Sequence, residues 1–342
     1  MAERDEFAGG MDPGCPWVGI AANAASGRGR GRVVVAKLVE ELARLGLGSR
    51  VAWTPSDRRE LVEAASASAP VSTSADGPGG CRCLVAVGGD GTVAALINER
   101  PEVPIAVLPA GTENLFARHF GFDRRPGRAA ARIAGGRGAT LDVGLIDGRR
   151  FALMAGFGFD ADVVGRHHAA RLGRAGVARP TSRAAYVEPV LRSSLGYRFP
   201  PLTLSFEDVE GRPEVLVGTT AFVFNLPRYA LGLPFAPSAR GDDGWLDLVI
   251  FREPGPFRAL HYLWLVVRGL HLDRPGIVHR RVRRVAIEAG DAVPVQLDGD
   301  PGGVIRPGDP AWTIEVLPGA VEVLGPANHL AALARPAAAL AR

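Results

Sequence analysis

The segment CLVAVGGDGTVAALIN, residues 83–98, decides how the N-terminal part of this chain folds. Its run of apolar residues predicts a buried β-strand, and the apolar spacing after the glycines predicts a helix. Glycines let backbone N–H groups approach an anion, and a helix N-terminus adds partial positive charge. The segment therefore predicts a strand–turn–helix unit whose turn can hold a phosphate.

An acidic residue, Asp90, lies in this predicted turn. It would repel a phosphate unless a divalent cation lay between the two negative charges. Asp90 therefore indicates magnesium, bound directly or through water. The alternative is an ordinary strand–helix turn in which Asp90 is the N-cap of its own helix.

A second turn of this kind lies in PIAVLPAGTENLFARHFG, residues 104–121. Gly111 and Thr112 follow the predicted strand, and Thr112 is a candidate to bond a phosphate or ribose oxygen. Asn114 either bonds a purine or caps the helix that follows it. Both turns are predicted at the strand ends where open α/β sheets bind their ligands.

A third glycine-rich turn, NAASGRGRGR at residues 23–32, follows the predicted strand 17–22. Asn23, Ser26 and Gly27 are candidates to hold phosphate there, and Arg28 or Arg30 could neutralise its charge. Glycine turns after three strands of one sheet form a much more specific signal than any one of them.

The alternation of elements predicts two domains. Predicted strands and helices alternate to about residue 140, which indicates a doubly wound parallel sheet. After that point the segments are short, β-rich and interrupted by glycine and proline, as in an antiparallel β-sandwich. We expect an α/β nucleotide-binding domain at residues 1–143, with 319–342 packing back on it, and a β-sandwich at residues 144–318.

Composition excludes several function classes. Lys37 is the only lysine among 40 basic residues, and it lies in a helical pattern without adjacent glycine. This excludes a P-loop and the protein-kinase fold, both of which need a lysine. The net charge of +4 is too small to indicate nucleic-acid binding.

The cellular compartment is predicted from cysteine usage and hydropathy. Three cysteines without zinc spacing indicate a reduced, cytoplasmic protein. The N-terminus has no apolar signal core, and no apolar run is long enough to span a membrane.

Two acids that flank a glycine in VQLDGDPGG, Asp298 and Asp300, are candidate catalytic residues. They suit a base for a hydroxyl nucleophile plus a metal ligand. The alternative there is a plain hairpin turn.

Several motifs together resemble the diacylglycerol kinase catalytic-domain family, which includes bacterial diacylglycerol and lipid kinases and the sphingosine and ceramide kinases. The resemblance extends over about residues 17–325. The motifs, in the family's order, are GGDGT (88–92), PAGTENLFA (109–117), LDVG (141–144), FALMAGFGFDADVV (151–164), GDDGWLDLVIF (241–251) and VQLDGDPGG (295–303).

The resemblance implies roles for individual residues. The positions that match ATP-binding positions of the family are Asn23, Ala24, Ala25, Ser26, Gly27, Thr54, Gly88, Gly89, Asp90, Gly91, Thr92, Val93, Ala94 and Thr112. Asp90 and Asp142 match acids of a metal–water network, and Asp243 matches a structural magnesium site with the backbone carbonyls of Arg240 and Trp245. Asp300, with Asp298 beside it, matches the proton-accepting glutamate of the family's DGE motif. The resemblance also implies an active site between a nucleotide-binding domain and a lipid-binding β-sandwich.

Two departures from the family pattern affect the predicted chemistry. Where the family has Asn-Glu after GGDGT and a small apolar residue, this chain has Ala94 and Ala95; Asn98 and Glu99 lie one helical turn later. The DGE motif has become DGD, which shortens the predicted base by one methylene. Misplacement of a catalytic group by about 1 Å can cost about 100-fold in rate.

The sequence thus predicts an ATP- and magnesium-dependent lipid kinase with a diacylglycerol-like substrate. One alternative is a nucleotide- or lipid-binding protein with little kinase activity, and another is a kinase of a soluble substrate such as NAD. We expect a cytoplasmic protein that contacts an anionic membrane surface transiently. The sequence leaves open whether the protein forms a homodimer. The amphipathic segment 257–272, with Trp264, is either core or a membrane contact. HRRVRRV (279–285) is expected to form one strand with a basic face, which either meets anionic headgroups or belongs to a solvated edge strand.

Overall fold

The computed structural model describes residues 15–23, 31–68, 79–172, 187–272 and 274–325. The chain divides into two compact units, which we call the N-terminal unit (within Met1–Leu141 and Gly319–Arg342) and the C-terminal unit (Asp142–Pro318).

The N-terminal unit alternates strands and helices. Its elements are β1 (Trp17–Ala22), α1 (Gly31–Arg44), β2 (Gly48–Ala52), α2 (Pro55–Ala67), β3 (Cys81–Gly88), α3 (Asp90–Asn98), β4 (Ile105–Pro109), α4 (Leu115–His119) and α5 (Pro126–Gly135), followed by the start of β5 (Arg137–Ile146).

A parallel sheet forms the centre of the N-terminal unit. Its strands follow the order β2–β1–β3–β4, and the last part of β16 (Trp312–Gly325) pairs in parallel with β4. Strands β1 and β4 are buried along their whole length, as expected for a parallel sheet covered on both faces. Because these strands run in the same direction, the C-terminal ends of β1, β3 and β4 lie along one edge of the sheet.

Helix α1 shows why the sequence packs in this way. Its buried residues Val35, Leu38 and Leu42 recur at helical spacing and contact the sheet residues Val18, Ile20 and their neighbours in one core. Burial of each such side chain contributes about 1.5–3 kcal/mol relative to exposure, so this stripe fixes the helix on the sheet.

The C-terminal unit consists of β-strands with three helices among its described residues. Its elements continue β5 with β6 (Arg149–Phe151), β7 (Met154–Gly158), α6 (Phe159–Leu172), α7 (Val187–Gly196), β8 (Leu202–Glu207), β9 (Pro213–Gly218), β10 (Thr220–Phe224), β11 (Leu246–Phe251), α8 (Pro256–Val267), β12 (Ile277–Val282), β13 (Arg284–Ala289), β14 (Val293–Leu297), β15 (Asp300–Ile305) and the first part of β16.

Two antiparallel sheets make up this unit. One has the order β12–β11–β10–β7–β14–β15, and the other joins β16, β13, β8 and β9. Side chains from both sheets form one core, which includes Phe157, Leu204, Leu248 and Ile287. The predicted fold class, a doubly wound α/β domain followed by an antiparallel β-sandwich, is confirmed.

The expectation for residues 279–285 is wrong. The segment does not form one strand, because Val282 ends β12 in one sheet and Arg284 begins β13 in the other. Its arginines therefore do not share one face. Val282 and Val285 are three residues apart and both are buried, whereas one uninterrupted strand, with its side-chain period of two, would place them on opposite faces.

Some predicted features lie outside the described residues. These are Ala24–Gly27 with Arg28 and Arg30 of the first glycine turn, and residues 326–342 of the segment expected to pack back on the N-terminal domain.

Candidate active site

The two glycine turns of the N-terminal unit contact each other through their backbones. A Cβ atom on Gly111 would lie 2.5 Å from the Cα atom of Gly89 and 3.1 Å from its nitrogen. The Ala110 N–H also donates a hydrogen bond to the Gly88 carbonyl at 2.8 Å. At Gly88 an added Cβ would overlap the side chain of Thr92. Glycine is therefore required at these positions because no side chain fits there.

Asp90 links the same two turns by hydrogen bonds. Its carboxylate accepts from the backbone N–H groups of Leu115 at 3.0 Å and Phe116 at 2.9 Å, the first residues of α4. Its own helix has Gly89 as N-cap and no side-chain cap. The alternative that Asp90 caps its own helix is wrong, since it caps the N-terminus of the next helix instead.

Burial raises the pKa of the Asp90 carboxyl, while the Phe116 and Leu115 N–H groups favour its charged form and the nearby Glu113 disfavours it. Positive charge brought to this turn would favour the carboxylate. Asp90 thus orders the second turn, and its predicted link to magnesium stays a prediction.

Asn114 neither caps its helix nor points to solvent. It adopts a left-handed backbone conformation (φ 49°), and its side chain both accepts from the Gly111 N–H at 2.9 Å and donates to the Gly111 carbonyl at 2.7 Å. The capping alternative for Asn114 is wrong. Its amide holds the second glycine turn in shape, and its predicted contact with a purine stays a prediction. Thr112, one residue after Gly111, is exposed.

Thr54 and Asn23 also have local roles. The Thr54 hydroxyl accepts from the Asp57 N–H at 3.2 Å, and the Asp57 carboxylate accepts from the Thr54 N–H at 3.1 Å, which forms a capping box at the start of α2. The Asn23 N–H donates to the Val87 carbonyl at 3.3 Å, which ties the end of β1 to the end of β3. Among the remaining predicted ATP ligands, Val93 is buried, Thr92 and Ala94 are half-buried, and Gly91 is exposed.

Glu99 does not take the place of the glutamate that the family has early in this helix. It lies at the C-cap of α3, where its carboxylate accepts from the Arg58 guanidinium at 2.9 and 3.1 Å. The Asn98 amide donates to the Ala94 carbonyl within the same helix. The side chains of Glu99 and Asn98 therefore form hydrogen bonds with Arg58 and with α3 itself. The acidic residue in the first turn of α3 is Asp90.

In the C-terminal unit, Asp298 is held inward by the backbone of residues 152–154. Its carboxylate accepts from the N–H groups of Ala152 at 2.8 Å, Leu153 at 2.8 Å and Met154 at 3.0 Å. Its own backbone is left-handed (φ 52°), and its N–H donates to the Met154 carbonyl at 2.9 Å. These bonds fix the turn between β14 and β15.

Asp300 lies two residues later in a different environment. Its side chain is 47% exposed, and one carboxylate oxygen lies 4.0 Å from Nδ1 of His168 on α6. The two acids therefore have different surroundings. Asp298 fixes the turn by its hydrogen bonds, and Asp300 lies on that turn with its carboxylate partly exposed to solvent.

A half-buried acid that was not predicted from the sequence, Asp160, supports the same turn. Its carboxylate accepts from Gln296 Nε2 at 3.1 Å and from the Tyr229 hydroxyl at 3.2 Å, and Gln296 Oε1 accepts from the Gly299 N–H at 2.8 Å. Burial raises the pKa of Asp160 to about 6, although both hydrogen bonds favour the charged form. Its position as an acid within the apolar motif FALMAGFGFDADVV is the signal that could have indicated it.

We expect Asp160→Asn to stabilise the protein at neutral pH. A carboxyl whose folded pKa of about 6 exceeds its unfolded value of 3.8 stabilises the fold at low pH and loses that contribution as pH rises through 6. Asparagine keeps an acceptor for Gln296 and Tyr229 and never ionises. The gain above pH 7 should reach at most about 3 kcal/mol, at about 1.4 kcal/mol for each pKa unit.

The measurement is urea unfolding of both proteins between pH 4 and pH 8. The difference in free energy of unfolding should increase with pH and level off above pH 7. A difference that is constant over this range would contradict a titrating Asp160.

The remaining predicted metal ligands cluster around residues 240–245. Asp142 is buried, its N–H donates to the Gly241 carbonyl at 2.7 Å, and its carboxylate accepts from the Gly244 N–H at 2.7 Å. Asp142 therefore holds this loop in place. Its predicted part in a metal–water network stays a prediction.

Asp243 is engaged by an arginine. Its carboxylate accepts from the Trp245 N–H at 3.1 Å and from the Arg281 guanidinium at 2.5 Å, and that guanidinium also lies 5.4 Å from the centre of the Trp245 ring. The Arg240 side chain pairs with Asp242. Because Arg281 already supplies positive charge to Asp243, the loop in this arrangement does not fit a magnesium ion. Within the described ranges, no group of three or more His, Cys, Asp or Glu side chains is placed to hold a metal.

The chain matches two family models that together cover most of its length. Residues 18–146 match the diacylglycerol kinase catalytic domain, and residues 154–325 match the YegS C-terminal NAD kinase beta sandwich-like domain. The first match contains the glycine turns and Asp90, and the second contains the turn of Asp298 and Asp300.

Similar proteins carry related names. A probable lipid kinase YegS-like of Pseudomonas aeruginosa (strain UCBPP-PA14) is 30% identical, over 82% of this chain and 85% of that protein. A diacylglycerol kinase of Mycobacterium tuberculosis is 28% identical, over 72% of this chain and 78% of that protein.

A solved structure shares the fold. The crystal structure of a diacylglycerol kinase from Bacillus anthracis str. Sterne superposes with a TM-score of 0.62, covering 93% of this chain and 99% of that one at 19% identity. Together with the family models and the 30%-identical relative, these findings show that the chain belongs to the diacylglycerol kinase catalytic-domain family of kinases.

Proposed function

We propose that this protein is an ATP-dependent lipid kinase that transfers the γ-phosphoryl group to a hydroxyl of a diacylglycerol-like lipid. The observation that carries the proposal is the turn between β14 and β15, where Asp298 is bound by three N–H groups and Asp300 is left half exposed. A base for a lipid hydroxyl must be held firmly and still be accessible, and Asp300 meets both conditions.

The glycine turns of the N-terminal unit are proposed to bind ATP. The glycines that precede α3 leave room for an anion, and the N-terminus of α3 adds partial positive charge, which suits phosphate in a chain with a single lysine. Magnesium bound with ATP would neutralise phosphate charge, and Asp90 is the residue proposed to hold it, directly or through water. The predicted nucleotide contacts stay residues 23–27, Thr54, residues 88–94, Gly111, Thr112 and Asn114.

Asp300 is proposed to accept the proton of the lipid hydroxyl. As that proton leaves, the hydroxyl oxygen forms a bond to the γ-phosphorus, the bond from phosphorus to the β–γ bridging oxygen breaks, and ADP departs. Most of the rate enhancement in such a transfer comes from positioning and from stabilisation of charge. The hydrogen-bonded chain from Asp160 through Gln296 to Gly299 supports the position of Asp300.

The lipid branch of the family is favoured by the C-terminal unit. Its sandwich matches the YegS-type domain over residues 154–325, and relatives named lipid kinase or diacylglycerol kinase align with 82% and 72% of this chain. We infer a lipid of the diacylglycerol class and a protein that works at a membrane surface on the cytoplasmic side.

The test is transfer of label from ATP to lipid. Purified protein is incubated with ATP labelled in its γ-phosphate, magnesium and a mixed bacterial lipid extract, and the products are separated by chromatography. We expect one labelled lipid that comigrates with phosphatidic acid. Label on NAD but not on lipid would reverse the choice of substrate, and ATP binding without any labelled product would show a binding protein.

A further inference from the structure

Helix α8 (Pro256–Val267) exposes an apolar face. Tyr262, Leu265 and Val266 are buried against the C-terminal unit, so one side of the helix supplies core. The opposite side carries large apolar side chains that remain exposed, namely Phe257, Leu260, Leu263, Trp264 and Val267. Because residues three and four apart lie on the same side of a helix, these side chains form one continuous surface, which we call the α8 face.

Residues 257–272 were predicted to be either core or a membrane contact, and the exposure of the α8 face shows which residues fit which alternative. The core interpretation holds for Leu265 and Val266, but Trp264 is 52% exposed and Phe257 is 86% exposed. Single exposed apolar residues are ordinary on a protein surface. A contiguous group that includes two aromatic rings instead marks an interaction surface.

The charged side chains on α8 and directly after it are arginines, with Glu253 before this segment and Asp273 after it in the sequence. Residues 256–272 contain no Asp or Glu, and they include Arg258 and Arg268. The Arg268 guanidinium lies 5.8 Å from the centre of the Trp264 ring, and Arg258 pairs with Glu253 at 2.7 Å. Aromatic side chains next to arginines favour the interface of a bilayer, where the rings enter the headgroup region and the cations meet anionic lipids.

A second copy of the chain fits this surface less well. A twofold contact between two antiparallel α8 helices would place Arg258 of one copy beside Arg268 of the other. The helix offers no carboxylate to balance those charges. An anionic bilayer supplies both the apolar phase and the negative charge.

We propose that the α8 face is the membrane-docking surface of this protein and that it binds bilayers containing anionic lipid. Rather than crossing the bilayer, α8 would lie along its surface, since no helix among the described residues has the length and apolarity of a membrane span. The inference rests on the proposed function, because a kinase of membrane lipids must reach substrate in a bilayer.

The experiment measures binding to sedimentable vesicles of pure phosphatidylcholine and of equimolar phosphatidylcholine and phosphatidylglycerol. We expect the full chain to prefer the anionic vesicles. The double variant Phe257→Ser with Trp264→Ser should bind them at least about tenfold more weakly, because two aromatic rings no longer enter the interface. Arg268→Gln should reduce binding to anionic vesicles and leave binding to neutral vesicles unchanged.

A matched control removes exposed apolar side chains elsewhere in the same unit. Val215 and Val217 lie on β9 and are about half exposed or more, and Val215→Ser with Val217→Ser should bind vesicles like the unmodified chain. Equal vesicle binding by the control and by the α8 variant would overturn the proposal. So would sedimentation equilibrium showing that the α8 variant converts a dimer to a monomer without losing vesicle binding.

Failure of this inference can be told from failure of the proposed function. With a short-chain diacylglycerol that is soluble as monomers, the α8 variant should phosphorylate the lipid at the unmodified rate. Loss of turnover on vesicles alone supports docking through α8. Loss of turnover on both substrates would instead place the α8 face in the substrate site and overturn the docking role. Absence of turnover in the unmodified chain would refute the proposed function itself.

Discussion

Replacing Asp300 with asparagine is expected to lower the rate of lipid phosphorylation by about 10²–10⁴-fold, the usual contribution of a general base. The side chain is half exposed and forms no backbone cap, so the amide should leave the fold unchanged. The affinity for ATP should also stay the same, because the proposed nucleotide contacts lie in the other unit. The loss should therefore appear in kcat, measured with saturating ATP and lipid.

Asp300→Glu separates the chemistry of this position from its shape. It restores the residue that the family has in its DGE motif, and it should keep at least the unmodified activity because it retains a carboxylate with one more methylene of reach. Glu288→Gln, a change to an exposed acid on β13 of the same unit, is the matched control and should have no effect. A normal kcat for Asp300→Asn would exclude Asp300 as the base.

The fold was predictable from the sequence because local patterns specify it. The apolar run before GGDGT is short and is followed by glycines, which favours a buried strand and a turn, and β3 ends at Gly88 as this predicts. Alternation of strand and helix to residue 140, followed by short strands, was enough to predict a parallel sheet and a sandwich.

Contacts between distant residues were not predictable in the same way. Asp90 bonds Leu115 and Phe116, which are 25 and 26 residues away, so its role as the cap of another helix depends on the packing of two turns. The contact of Arg281 with Asp243 depends in the same way on the pairing of β11 with β12. A motif shows which residue types are present, and only the fold shows which of their atoms are already bonded.

Asp298 and Asp300 illustrate this limit within three residues. As a sequence, DGD offers two equivalent carboxylates, and either could be the base. The left-handed backbone at Asp298 turns its side chain toward three N–H groups of the segment 152–154, which uses its oxygens for structure. The assignment of Asp300 as the proposed base follows from this difference in hydrogen bonding.

Gly111→Ala is expected to remove nucleotide binding and to destabilise the N-terminal unit by about 1–3 kcal/mol, the usual cost of overpacking. The new methyl group would lie 2.5 Å from the Cα atom of Gly89 and 2.9 Å from Asn114 Oδ1. Backbone atoms cannot rotate away, so the two glycine turns must separate. A displacement of about 1 Å at a phosphate-binding turn can cost about 100-fold, and we expect at least that loss in ATP affinity by calorimetry.

Gly135→Ala is the control that makes this result interpretable. Gly135 belongs to the same unit, ends helix α5, and a Cβ atom placed on it would contact nothing within 4 Å. Alanine there should leave ATP affinity unchanged and slightly stabilise the helix. If Gly111→Ala weakened ATP binding no more than Gly135→Ala, the close approach of Gly89 and Gly111 would have no part in binding the nucleotide. If Gly111→Ala lowered stability and ATP affinity together, the two turns would act as one phosphate-binding unit. The close spacing of that unit would then depend on glycine at both Gly89 and Gly111.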